Sequence, residues 1–185
     1  MLYSFSTMYL KRRGNMLETE RLRLRDYTSE DFEFLYSMTS NEKMMKYIGN
    51  GQTRDRKETK ATLNKLFAMY KSHPCYGHKL LISKTTEELI GHAGFLPQMI
   101  EEEEYIEIGY WIDEKYWHQG YATEIAKALR VFGEQKLQLE EMISLVYVGN
   151  TGSANVAEKN GMQILKQVEL NGKDVNVYST RITKG

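Results

Sequence analysis

Apolar and charged positions alternate from Arg21 through "RLRLRDY", the two-residue period of a half-buried strand. Thr28 or Ser29 then offers a cap for a helix through "EDFEFLYSM", whose acids fall in the first turn, where the helix dipole favours them. A second helical period, from about Arg56 to Lys71, puts Leu63, Leu66, Phe67 and Tyr70 on one face and ends near Pro74. Three strands follow as a meander: Gly77 to Ser83, Leu89 to Leu96 and Tyr105 to Ile112, separated by "KTTEE" and by the acidic loop "QMIEEEE". Beyond them the pattern changes. A helix is expected from Tyr121 to Lys136, a strand from Glu141 to Val148, a short helix from Ser153 to Asn160, and two last strands joined at Asn171-Gly172, a favoured hairpin turn. The reading is an α+β fold with a mixed, mostly antiparallel sheet of about seven strands, parted beside the long helix.

Composition narrows the class. At 185 residues, with 41% hydrophobic and 27% charged residues and two prolines, the chain suits one domain. Lys plus Arg equals Asp plus Glu at 25 each, so there is no global field to hold a polyanion and no direct nucleic-acid binding is expected. A lone cysteine, Cys75, and the lack of a signal peptide or a membrane-spanning apolar run make the cytoplasm the expected location. Residues 1–15 differ from the rest: they lack acids and end in a basic cluster just before Met16. They read either as a targeting or RNA-binding arm or as a translated leader, since a purine run resembling AGGAGG can encode Arg12-Arg13-Gly14 upstream of Met16. The single domain is then 16–185.

The stretch "YWHQGYATE", 116–124, opens the long helix, whose apolar face is Ala122, Ile125, Ala126, Leu129 and Phe132. The first amides of a helix lack intrahelical acceptors and its dipole makes that end partly positive, which suits a phosphate. Gly120 lets backbone approach such a ligand, and Ala122 keeps the next turn uncrowded; a plain strand-to-helix turn would read the same way. Gly109 interrupts "YIEIGYWI" and Gly149 ends "ISLVYVGN", the kind of place where a strand parts from its neighbour and an amide-bearing ligand pairs as a false strand.

Together, "IEIGYWIDEKYWHQGYATEIAKAL" and "VGNTGSANVAEKNGM" resemble the acetyl-CoA core of the GNAT superfamily, nearest the RimJ/RimL-like N-acetyltransferases, and the resemblance runs from Leu17 to Ile182. It implies a GNAT-like twisted sheet with helices on both faces and splayed central strands. Acetyl-CoA would be the co-substrate, its pantetheine pairing with backbone of Tyr110, Trp111 and Ile112 and its pyrophosphate held by amides of His118, Gln119, Gly120, Tyr121, Ala122 and Thr123. Asn150 would bond a pantetheine amide, and Ser153 would lie near the thioester sulfur, unless it serves only as a cap. The family's phosphate loop usually opens with Gln or Arg, and Trp117 stands there instead. The family's usual acid tyrosine falls at Ala157, leaving Ser153, water or an unassisted thiolate departure.

For catalysis, Glu107 matches the glutamate of the family's "EIGY" and is the candidate base, acting directly or through water, or else only orienting the substrate. An α-amine near pKa ~8 costs roughly 1 to 1.5 kcal/mol to deprotonate at pH 7, against about 4 to 5 for an alkyl amine near ~10.4. The preferred acceptor is therefore a protein N-terminal α-amine, possible targets including ribosomal proteins; a polyamine, amino acid or aminoglycoside is the alternative, and a noncatalytic acetyl-CoA-binding adaptor a third reading. His73, His78, His92 and His118 have no metal-ligand spacing, so no metal is expected. By resemblance the protein would be a monomer or homodimer.

Overall fold

The computed structural model describes residues 15–181; the arm expected over 1–15 lies outside the described residues except for Asn15. The alternating run at the start folds back on itself, giving β1 (Asn15–Glu18) and β2 (Leu22–Arg25) where a single strand was expected. Thr19 closes the turn: its N–H donates to Leu22 O at 2.8 Å, and its hydroxyl oxygen accepts from Leu22 N–H at 3.0 Å. A 3-10 turn at Ser29–Asp31 leads into α1 (Phe32–Thr39), and Thr28 forms a capping box with Asp31. A four-residue helix, α2 (Glu42–Met45), was not anticipated; Asn41 caps it. Asp55 and Glu58 form a second capping box at the head of α3 (Arg56–Ser72).

The meander is β3 (Gly77–Ser83), β4 (Leu89–Ile100) and β5 (Glu103–Ile112). Then come α4 (Tyr121–Lys136), β6 (Ile143–Tyr147), α5 (Thr151–Lys159), β7 (Gln163–Leu170) and β8 (Lys173–Ser179). They form one eight-stranded sheet in the order β1-β2-β3-β4-β5-β6-β8-β7. The strand beyond the expected seven is β1.

All neighbours are antiparallel except β5 and β6, which run parallel and meet in register only at Glu107 and Ile143. Ser144 Oγ donates to Ile108 O at 3.0 Å just beyond that point. The sheet is thus splayed beside Gly109, as the glycine suggested.

Helices cover both faces. On one, Ile125, Ala126 and Leu129 of α4 pack on Leu22, Leu24, Leu81, Phe95, Ile108 and Ile112. On the other, Leu35 of α1 and Leu63 and Leu66 of α3 pack on Leu80 and Ile82. Among the described residues no helix is long and apolar enough to cross a membrane.

Candidate active site

Side chains alternate across a strand, so β5 sends Ile108, Tyr110 and Ile112 toward α4 and Glu107, Gly109 and Trp111 toward the face that carries α1 and α3. Glu107 therefore sits at the point where β5 and β6 part. Gln98 Nε2, on β4, donates to Glu107 Oε2 at 2.5 Å. Burial pushes the Glu107 carboxyl up to about 7, against hydrogen bonds from the Gln98 amide and the Leu145 N–H that favour its charged form. A carboxylate that titrates there can accept a proton near neutral pH.

Beyond Ile112 the chain makes a short turn and reaches the expected phosphate loop. Trp117 is a post in this loop: its Nε1–H donates to Ile112 O at 2.6 Å. That bond engages one of the backbone groups expected to pair with pantetheine. His118 (φ 60°) and Gly120 (φ 82°) both take left-handed backbone, which turns the chain sharply into α4. No side chain caps α4 at Gly120, so the first amides of a 16-residue helix, from Tyr121 on, are left for a ligand. His118, Gln119 and Gly120 are exposed there, with Tyr121, Ala122 and Thr123 behind them.

Across the splay, α5 begins at Thr151, two residues earlier than its pattern suggested, because Asn150 rather than Ser153 is the cap. Asn150 Oδ1 accepts from Ser153 N–H at 3.1 Å, so Ser153 lies inside the first turn with its hydroxyl turned toward β5. There it stands 3.1 Å from the Tyr110 hydroxyl, which also donates to Ser153 O at 3.3 Å. Burial pushes the Tyr110 phenol up to about 12, opposed by the hydrogen bond to Ser153. Ala157 is buried one turn on and offers no hydroxyl.

Four residues at the site escaped the sequence reading. Arg21 Nη1 donates to Gln119 O at 3.1 Å, its Nε pairs with Glu124 at 2.6 Å, and its guanidinium lies 4.4 Å from the Tyr121 ring centroid. On the Glu107 side, His78 and His92 stack with centroids 4.1 Å apart, and the Trp111 ring lies 5.4 Å and 4.5 Å from them. Arg54 lies over Trp111 at 5.9 Å. Burial, helped by the positive charge of Arg54, holds His78 down to about 3 and His92 well below the usual imidazole range, so both rings are neutral. Residues 14 to 57 positions apart in sequence carry no local signal of this meeting.

A helix end with free amides, a parted parallel pair and a carboxyl group at the parting suit an acetyl-transfer site, and the profile of the acetyltransferase (GNAT) domain matches residues 21–163. The chain belongs to the GNAT acetyltransferase family. It is similar to YkkB, an uncharacterized protein of Bacillus subtilis (strain 168), at 32% identity over 167 residues, covering 89% of this chain and 95% of that one. It is also similar to YoaA of the same organism, an uncharacterized N-acetyltransferase, at 30% identity over 171 residues, covering 89% and 95%. In fold it matches RimL, a ribosomal L7/L12 alpha-N-protein acetyltransferase solved with coenzyme A, with a TM-score of 0.73 at 20% identity, covering 89% and 96%.

This GNAT protein is accordingly an acetyl-CoA-dependent acetyltransferase on an α+β fold. Its sheet opens between β5 and β6, with Glu107 and Trp111 on one side of the sheet and Tyr110 and Ser153 on the other.

Proposed function

We propose that the protein acetylates the α-amine of a protein N-terminus, within the RimJ/RimL-like branch of the family. The observation that carries this reading is Glu107: a carboxyl group at the splay point, pushed up to about 7. Such a base matches an amine near pKa ~8 far better than one near ~10.4, whose deprotonation costs roughly 3 kcal/mol more. The fold similarity to RimL supports the same acceptor class.

In this reading Glu107 takes the ammonium proton, and the neutral amine attacks the thioester carbonyl directly. The C–N bond forms, the C–S bond breaks, and coenzyme A leaves as a thiolate, which takes up the proton that the amide nitrogen gives up, through Ser153 or water. The β5 backbone near Trp111 stabilises the oxyanion. Backbone of Tyr110, Trp111 and Ile112 lies along the pantetheine, and the amides from His118 to Thr123 take the pyrophosphate. Arg21 holds that loop through Gln119 O. Asn150 meets a pantetheine amide with the acceptor capacity left beside its cap. Ser153, oriented by Tyr110, faces the departing sulfur in place of the tyrosine absent at Ala157.

The test is turnover of acetyl-CoA on a panel of α-amino peptides set against polyamines, aminoglycosides and amino acids. Efficient acetylation of peptides supports the reading. Turnover of small amines alone would reject it.

A further inference from the structure

Arg54 is held in a place that fits no structural need of the fold. Five of the seven described arginines are ion-paired: Arg21 with Glu124, Arg23 with Glu87, Arg25 with Asp31, Arg56 with Glu33 and Arg130 with Glu134. Arg54 is half-buried, yet among the described residues no carboxylate lies within ion-pair distance of it, and the other exception is Arg181 beside the last described position. Glu58, the acid whose charge acts on it, is already engaged in the α3 cap, accepting from Asp55 N–H at 2.9 Å. Arg54 Nη1 donates to Thr62 Oγ1 at 2.9 Å, which leaves most of a five-donor fork unused. Burial lowers its pKa, and the charge of Glu58, the Thr62 hydroxyl and the Trp111 ring offset that cost only in part.

The position is fixed. The segment between α2 and α3 crosses the splay and is pinned at both ends: Tyr147 donates to Gly49 O at 2.5 Å, and Arg54 N–H donates to Thr39 O at 2.8 Å. Arg54 is thereby set over Trp111, on the same face of β5 as Glu107. Beneath it His92 gives Nδ1 to the Tyr27 hydroxyl at 2.9 Å, while His78 Nε2 is buried without a partner. That nitrogen faces Gly109: a Cβ built there would stand 2.5 Å from Leu96 Cδ1, 2.9 Å from His78 Nε2 and 3.6 Å from Glu107 Oε1. Glu107 and His78 thus flank the same glycine beside the Leu96 side chain, and a cation lies farther along the strand. Outside the same segment, Lys46 and Lys173 line an open pocket of about 510 Å³ with Glu42, Gln52, Thr53 and Lys43, the last being paired with Glu114.

We infer that the acceptor is an N-terminal peptide with an acidic side chain near its start, which Arg54 receives while the α-amine lies at Glu107 and His78. The inference rests on the proposed α-amine reading and narrows it. Spacing chooses the source of the anion. Gly109, which Glu107 and His78 flank, and Trp111 are two residues apart on one strand, about 7 Å at ~3.3 Å per residue. The carboxylate of a free amino acid sits beside its own amine and cannot span that distance, whereas an acidic side chain at the second to fourth position of an extended peptide can. Lys46 and Lys173 extend the positive charge along the outgoing chain and would speed capture of an acidic peptide.

The experiment measures kcat/KM for matched short peptides that differ only as Asp against Asn or Glu against Gln at positions two to four, with free amino acids and polyamines alongside. The acidic peptides are expected to exceed their amide isosteres by about tenfold at low ionic strength, with the gap narrowing as salt approaches about 0.5 M. R54Q is expected to bring the two within about threefold of each other through KM, and R54K to restore part of the gap, since it keeps the charge but loses the fork. Equal turnover of acidic and amide peptides by the wild type overturns this inference and leaves the α-amine reading standing. So does an R54Q variant that weakens both peptides alike, which would make Arg54 a support for α3. Turnover of polyamines with no peptide acetylated overturns the α-amine reading and this inference with it.

Discussion

The Tyr110 hydroxyl lies 3.1 Å from Ser153 Oγ, so the strand that lines one side of the splay holds the hydroxyl at the head of the helix on the other. With Ala157 where the family usually places its acid, Ser153 is the hydroxyl that the proposed mechanism turns toward the sulfur. A thiol near pKa ~8.5 leaves without much help, so the assistance needed is small. S153A is expected to lower kcat by about tenfold, the low side of acid–base contributions. Y110F, which only frees the serine to turn, should cost less. Steady-state kinetics with acetyl-CoA as the varied substrate checks both, and a full-rate S153A would remove the serine from the chemistry.

Glu107 makes two pH-dependent predictions. As a base it works when ionised, so kcat/KM should climb with pH through a midpoint around 7, the value to which burial pushes it. E107Q should lose that limb and about 10² to 10⁴ of the rate, while acetyl-CoA affinity by calorimetry stays within about threefold. The stability effect has the opposite sense. A raised carboxyl pKa means the folded state keeps a proton that the unfolded chain releases near 4.5, so stability falls as pH rises from about 4.5 to about 7 and is level above. E107Q lacks this loss, and its stability relative to wild type should increase across the same window, by the order of 1 to 2 kcal/mol given the partial exposure of the group. Chemical denaturation at several pH values measures it.

Much of this fold was legible because its signals are local. The apolar face of α4 is continuous in sequence, and Ile125, Ala126 and Leu129 are buried as their spacing requires. Asn171 and Gly172 both take left-handed backbone, φ 53° and 72°, the two-residue hairpin their identities favour. The turn between β4 and β5 was legible as a hairpin tip within Glu101 to Glu104, but not how far the strands run into it. Glu101 and Glu102 take φ 49° and 69°, so two glutamates make a tight turn that normally calls for Asn-Gly, and a segment read as an acidic loop is strand on both sides. Pro97 within β4 also argued for an early end. It is tolerated because β3 pairs with β4 only as far as Phe95, so the proline's missing N–H falls on an open edge.

The site divides along the same line. Glu107, Gly120 and Ser153 were legible as candidates because each belongs to a short motif, whereas Arg54 and His78 reach Trp111 only through the pairing of β3 with β4 and β4 with β5 and through the segment before α3. The start of α5 was placed two residues late, at Ser153, because Ser and Asn are both good caps, and the side chain that reaches forward to the third residue of the turn is Asn150.

Trp117 has its own test. Its indole donates to Ile112 O at 2.6 Å and ties the phosphate loop to the end of β5, while its ring is more than a third exposed. W117F keeps the ring and removes the donor. The loss should be about 1 kcal/mol of stability, the worth of one hydrogen bond whose acceptor can turn to water. A looser loop should also raise the acetyl-CoA Kd severalfold. Unchanged affinity with lowered stability would confine Trp117 to the fold.

Gly120 and Gly172 form a matched pair for testing the phosphate loop. Both take left-handed backbone, φ 82° and 72°, and neither would meet a close atom if a Cβ were added: the nearest to Gly120 is Arg21 Nη2 at 3.5 Å, and nothing lies within 4 Å of Gly172. An alanine therefore costs each about 1 kcal/mol of backbone strain and little else in stability. Only Gly120 stands at the free amides of α4, the proposed pyrophosphate site, so only G120A should shift the loop and crowd the ligand. Calorimetry with acetyl-CoA should find an affinity loss of about tenfold or more for G120A and none for G172A, at similar drops in Tm. Equal affinities for the two variants would mean the loop at Gly120 is only a turn.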